Sequence, residues 1–124
     1  MLDWSKYPNF RPHELCCRCG CGAVDMQPEP MRILQSLRNV IGPLNPTSGF
    51  RCEAHNTNVS TVSPPGNSPH VGGWAVDIAC ADSHLRWLIV TELIELGVQR
   101  IGIGKDFIHF DCDPTKTKRL IWVY

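Results

Sequence analysis

The sequence lacks any run of 18 or more apolar residues, so no bilayer-spanning helix is encoded. An excess of either charge is also missing, since twelve basic and twelve acidic side chains cancel. No basic run stands out, which removes the electrostatic footprint expected of a protein that binds nucleic acid or an anionic membrane. Internal repeats, low-complexity tracts and linkers are absent too, which excludes solenoids and tethered arrays. The opening "MLDWSKYPNFRPHEL" has neither the basic start nor the apolar core of a signal peptide. The chain is therefore expected to be made in the cytoplasm, with any route outward depending on another factor.

What is present is an ordinary globular composition, 43% hydrophobic and 19% charged, over 124 residues. That length predicts one domain, residues 1–124, because two would leave neither with much of a core. Seven cysteines are many for a reducing compartment, and an odd number cannot all pair. Four crowd into "CCRCGCG" as Cys16, Cys17, Cys19 and Cys21, within a loop-rich lead-in over residues 1–27. Paired cysteines of a standard zinc finger stand two to four residues apart, wider than this cluster. It is read as a reduced, packed group with Cys52 nearby, and a second metal or a disulfide is the less favoured alternative.

Beyond the lead-in, Met31, Leu34, Leu37, Val40 and Ile41 follow the rhythm of an amphipathic helix that Gly42–Pro43 ends. A short strand is expected over residues 44–48, then a long loop over residues 54–69, rich in Asn, Ser, Pro and Gly. "WAVDIAC" reads as a strand. "ADSHLRWLIVTELIELG" reads as a helix capped by Asp82 or Ser83, with Leu85, Leu88, Ile89, Leu93 and Leu96 as its apolar stripe. "VQRIGIG", "FIHFDC" and "RLIWVY" supply three further β segments. The pattern predicts an α+β fold, with two main helices against a small, mostly antiparallel sheet.

Strand parity isolates the chemistry. If "WAVDIAC" is extended, Trp74, Val76, Ile78 and Cys80 share a core face, and Asp77 points the other way between two small alanines. In "DFIHFDC", Phe107, His109 and Asp111 alternate against Ile108, Phe110 and Cys112. A single strand histidine is more often a satisfied structural residue than a ligand. If the two strands are neighbours, however, Asp77 and His109 face each other across the ladder. His70, on the loop entering the first strand, can then fold over as a third ligand. Two imidazoles and one carboxylate form a catalytic zinc set that leaves a position open for water. Non-haem iron(II) uses the same ligand types, so ligand type alone does not separate the two.

"SGFRCEAHN", "SPHVGGWAVDI" and "GIGKDFIHFD" resemble, in that order, three motif blocks of the zinc D-Ala-D-Ala carboxypeptidase and L-alanyl-D-glutamate endopeptidase family. That family shares its core fold with the amino-terminal domain of hedgehog proteins. Ser68, His70, Gly73, Ala75 and Asp77 fall in register with its first ligand pair, and Gly102, Gly104, Asp106, His109 and Asp111 with its last block. The likeness also takes in "ELCCRCGCG" and the closing "WVY", which is nearly the whole chain.

The resemblance implies that His70, Asp77 and His109 bind Zn²⁺ and that Asp106 is the general base. Arg51 would contact the scissile carbonyl or a substrate carboxylate, while Ser68 and Asp111 would orient ligands. Asp106 stands an odd number of residues before His109, so strand parity would put it on the opposite face, but at the exit of the "GIGK" turn it need not obey parity, so parity does not exclude it. His55–Asn56 belongs to the first block and would buttress the site, and Trp74 is read as core rather than substrate platform. In place of a short glycine-rich loop before the first ligand, this chain has "NVSTVSPPGNSP" beside the expected cleft.

The implied activity is hydrolysis of peptidoglycan stem peptides by a monomeric enzyme, as in a phage endolysin that waits in the host cytoplasm until a partner opens the membrane. The endopeptidase suits a lytic role better than the D-Ala-D-Ala carboxypeptidase, but the motifs do not choose between them. A non-catalytic, zinc-stabilised binding module is the reading from another class, and an iron oxygenase would need a larger β-barrel than these strands provide.

Overall fold

The alternation read from the sequence is realised as one five-stranded sheet. The computed structural model describes residues 2–59 and 68–124. After a 3₁₀ turn at Trp4–Lys6 come helices α1 (Pro12–Leu15) and α2 (Pro28–Ile41), strand β1 (Pro46–Ser48) and helix α3 (Glu53–Val59). Strand β2 (Ala75–Ala79), helix α4 (Ser83–Glu95) and strands β3 (Arg100–Ile103), β4 (Phe107–Asp111) and β5 (Leu120–Val123) complete the order. The sheet runs β1-β2-β4-β3-β5, antiparallel throughout except that β5 lies parallel to β3. This is the expected α+β class with a mostly antiparallel sheet.

One face of the sheet is apolar and carries the helices. Val76, Ile78, Ile101, Ile108 and Phe110 are buried against Met31, Leu34 and Leu37 of α2 and Ile89 and Leu93 of α4. Pro28 opens α2, where its missing N–H leaves no bond unmade. Asp82 caps α4 by accepting a hydrogen bond from the Leu85 N–H at 2.7 Å. Two expectations need correction. Val40 is 65% exposed, and Ile33 takes its place in the buried stripe of α2. Residues 54–69 are not one loop, because α3 occupies Glu53–Val59; "SPPG" and most of the "NVSTVSPPGNSP" segment fall outside the described residues.

The opposite face holds a transverse row of paired residues. Ser48 pairs with Asp77, Asp77 with His109, His109 with Gly102, and Gly102 with Trp122, one residue from each of the five strands. Residues directly opposite in a sheet project to the same side, so the row sets the functional groups side by side. Gly102 is what lets the row close. A Cβ there would lie 2.7 Å from the Trp122 indole nitrogen, so only glycine lets the indole lie flat across β3.

Gly73 seats the loop that brings His70 to this row. Its φ is +75°, and an added Cβ would fall on the Asp25 carbonyl oxygen and within 3.1 Å of Met26 Cα. Its own carbonyl accepts from the Gln27 N–H at 2.9 Å. Left-handed backbone and a main-chain clash together leave alanine no relaxed conformation here. Gly73→Ala is therefore expected to cost about 2 kcal/mol or more and to lower the thermal midpoint by several degrees. Thermal unfolding followed by circular dichroism checks this, and an unchanged midpoint would show that the loop reseats without strain.

Candidate metal centre and its cleft

His109 and Asp77 come from adjacent strands at paired positions, and His70 arrives from the turn just before β2. All three are buried. Asp77 Oδ1 lies 2.8 Å from His109 Nδ1 and 3.3 Å from His70 Nε2. One donor atom from each of the three residues falls within 4.8 Å of the others. The parity argument thus holds in three dimensions: β2 is buried on both faces, with its core face apolar and its other face built from ligands.

The outward ring nitrogens decide what the inward ones offer. His70 Nδ1 stands 2.7 Å from the Gly49 carbonyl oxygen, which can only accept, so Nδ1 carries the proton. Burial lowers the His70 pKa, against the pull of the Asp77 charge, and holds the ring neutral. Its Nε2 lone pair therefore faces a carboxylate oxygen, acceptor against acceptor. A cation between them turns that repulsion into two bonds. His109 Nε2 is 2.8 Å from Asp111 Oδ2, so its Nε2–H donates to a carboxylate while Nδ1 faces the cluster. This carboxylate–histidine pairing fixes the tautomer that a metal requires.

Two arginines complete the network. Arg51 donates from Nε to Ser48 Oγ at 3.1 Å and from Nη1 to Asn56 Oδ1 at 3.3 Å, and its Nη2 lies 3.5 Å from Asp77 Oδ2. Asn56 is fully buried, so His55–Asn56 contributes the buttress through Asn56. Arg100 Nε donates to Asp111 Oδ1 at 2.8 Å, and its guanidinium lies over Trp122, 5.1 Å from the ring centre. Burial tends to raise the Asp77 pKa, but the facing imidazoles reverse this and hold it far below the usual carboxylate range. For His109 the penalty of burial is outweighed by hydrogen bonds to Asp111 and Asp77, and its pKa rises. Arg51 with Asp77 and Arg100 with Asp111 form neutral pairs around two imidazoles. A divalent metal here keeps most of its charge for a ligand or substrate.

Arg51, His70, Asp77, Arg100 and His109 line a cleft of about 380 Å³, walled further by Phe107, Trp122 and Tyr124. That volume suits a few residues of a peptide. Ser68 Oγ accepts from the His70 N–H at 3.4 Å and so helps set the ligand loop. Trp74 is half-buried and outside the cleft lining.

Asp106 is not brought to the cluster. It is exposed in the turn between β3 and β4, its carbonyl accepts from the Cys80 N–H at 2.8 Å, and it does not line the cleft. Sequence reasoning missed Arg100, Trp122 and Tyr124. The parity rule that selected His109 also finds Trp122, but only once β5 is known to lie parallel to β3.

A protein-family model described as Peptidase M15 matches residues 8–111 of the chain. No curated protein and no solved structure matches it.

Because Asp111 holds the His109 tautomer, Asp111→Asn is expected to weaken zinc binding at this site by roughly 10- to 100-fold while leaving the fold intact. Competition against a chromophoric chelator measures the change. An unaltered affinity would make Asp111 a partner of Arg100 alone.

Proposed function

The chain belongs to the peptidase M15 family, and from that membership we propose that it is an L-alanyl-D-glutamate endopeptidase of host-cell lysis. Members of this family are zinc metallopeptidases, so zinc is the cofactor and peptidoglycan peptides are the substrate class. The finer reading assigns the ion to His70, Asp77 and His109. The observation that carries this is the facing of the neutral His70 nitrogen and the Asp77 carboxylate across a gap that a cation fits.

Bound zinc supplies Lewis acidity toward a peptide carbonyl and brings the pKa of water to near 7. The chain's own groups do the rest. Arg51, fixed by Ser48, Asn56 and Asp77, offers a cationic fork where oxyanion charge develops on the scissile carbonyl. Arg100 and Asp111 hold the His109 ring. Phe107, Trp122 and Tyr124 give the peptide an apolar wall. The general base assigned by resemblance is Asp106, which takes a proton from the attacking water and passes it to the leaving amine. From its exposed position that role requires the turn over Gly104–Asp106 to rotate inward when substrate binds.

The choice of endopeptidase rests on the lytic role, which it suits better than removal of a terminal D-alanine does. The accompanying biology is a monomer held in the host cytoplasm and released to the wall once a partner opens the membrane. No helix of the described residues is long and apolar enough to cross a membrane.

Mass spectrometry of peptidoglycan digested by the zinc-loaded protein tests the reading. New amino-terminal D-glutamyl peptides are expected. Release of a single D-alanine would assign the carboxypeptidase instead, and intact stem peptides would leave a binding module. Asp106→Asn should keep its zinc and lose about 10²- to 10⁴-fold in kcat. Turnover at the wild-type rate would remove Asp106 from the mechanism without touching the metal assignment.

A further inference from the structure

Four of the seven cysteines converge on the far side of Arg51 from the catalytic cluster. Cys17 Sγ lies 3.4 Å from Cys19 Sγ and 3.6 Å from Cys52 Sγ, and Cys19 Sγ lies 3.6 Å from Cys52 Sγ. Cys21 joins them, with all four sulfurs within 4.8 Å of one another. The other three thiols point elsewhere: Cys16 toward the His13 carbonyl, Cys80 toward the Asp82 carbonyl, and Cys112 against the core.

These separations exclude a disulfide and are short enough for one ion to reach every sulfur. A disulfide requires about 2.05 Å between sulfurs. Four thiolates on one zinc, each about 2.3 Å from the ion at tetrahedral angles, stand about 3.8 Å apart. The observed 3.4 and 3.6 Å lie close to the second value and far from the first. Uncomplexed thiolates at this distance would repel one another, whereas a dication binds all four.

The tight spacing is explained by backbone. Gly20 has φ +90° and Gly22 φ +74°, so the loop coils left-handed and brings residues 17, 19 and 21 round to one side. The Cys17 N–H donates to the Ala23 carbonyl at 2.8 Å and closes that coil. The fourth thiol arrives from 31 positions beyond Cys21 in the chain, on Cys52. Main-chain N–H groups point at the sulfurs, Cys52 N–H at Cys17 Sγ (3.3 Å) and His55 N–H at Cys52 Sγ (3.5 Å), as sulfur ligands commonly require.

We propose that Cys17, Cys19, Cys21 and Cys52 bind a second zinc ion as a closed tetrathiolate site. Its role is structural. Cys52 follows Arg51 directly and precedes α3, whose Asn56 holds the Arg51 guanidinium. The ion therefore staples the irregular lead-in to the mount of Arg51, and it does so independently of the catalytic cluster.

Metal content of the reduced, full-length protein tests this. Two zinc equivalents are expected for the wild type, one for His109→Ala and one for Cys19→Ser, whose exposed thiol makes it the least disruptive change at the site. With cobalt substituted for zinc, the sulfur-to-metal charge-transfer band should survive in His109→Ala and vanish in Cys19→Ser. In the zinc-loaded wild type, four thiols should resist a chromogenic disulfide reagent until a strong chelator is added. The proposal is overturned by a single zinc equivalent in the wild type, by a metal-free His109→Ala, by a native mass showing a disulfide among these cysteines, or by iron with labile sulfide in place of zinc. Failure of stem-peptide hydrolysis leaves these readouts untouched, so the two readings fail separately.

Discussion

A single carboxylate, that of Asp77, faces both buried imidazoles through Oδ1 and a buried guanidinium through Oδ2. Sealing a negative charge at this depth costs several kcal/mol unless cations answer it. The surrounding architecture brings three partners to it from three directions, of which Arg51 carries a permanent charge. β4 brings His109 from the neighbouring strand, the turn at residues 68–74 brings His70 from above, and the segment after β1 brings Arg51 from the side. Each group has a second partner that fixes its direction: Asp111 for His109, the Gly49 carbonyl for His70, and Ser48 with Asn56 for Arg51. The cluster is thus arranged before any ion arrives, so little ordering is left for the moment of binding.

The sheet makes this arrangement economical in sequence. One row across five strands, Ser48, Asp77, His109, Gly102 and Trp122, holds two metal-facing residues, the anchor of Arg51, a clearance and an aromatic wall. Such a row is visible in sequence only where both strands and their register are visible. The alternation of "WAVDIAC" and "DFIHFDC" was strong enough to place Asp77 and His109 opposite each other, because a shift by one residue would have buried charge in the core. The parallel return of β5 left no comparable signal, since the segment "RLIWVY" carries too little polar alternation to reveal which face Trp122 occupies. Arg100 was invisible for the same reason.

Other parts of the fold were hidden by composition or by distance along the chain. Helix α3, "EAHNTNV", has no apolar stripe and is held by Asn56 inward and by its neighbours, so periodicity could not distinguish it from the Pro- and Gly-rich segment that follows. Asp106 shows the limit of reasoning by resemblance. The motif fixed its distance from His109 in sequence, but the residue lies in the turn before β4, exposed and outside the cleft lining, where no strand pairing directs it. The cysteine cluster is packed as the sequence suggested, with Cys52 beside it and all four thiols free. Its one-residue intervals hid how closely the sulfurs meet, because Gly20, between Cys19 and Cys21, takes a left-handed turn that spacing alone does not reveal.

Both candidate metal constellations meet at the segment from Ser48 to Asn56. Gly49 accepts from His70, Arg51 reaches Asp77, Cys52 joins the sulfur cluster, and Asn56 holds Arg51 in place. Its own backbone is tied in at Phe50 to Leu15 and at Arg51 to His70. Only Ser48 of this stretch lies in β1 and only four of its residues in α3, too few for regular structure to hold the arginine rigidly. A guanidinium expected to meet developing negative charge must nevertheless be held in one direction, since misplacement by about 1 Å can cost two orders of magnitude in rate. Burying more apolar surface there would crowd the cleft. The proposed tetrathiolate ion, whose cysteines do not line the cleft, would give rigidity without occupying substrate space, which is a physical reason for a small domain to keep so many cysteines beside a site that uses none of them.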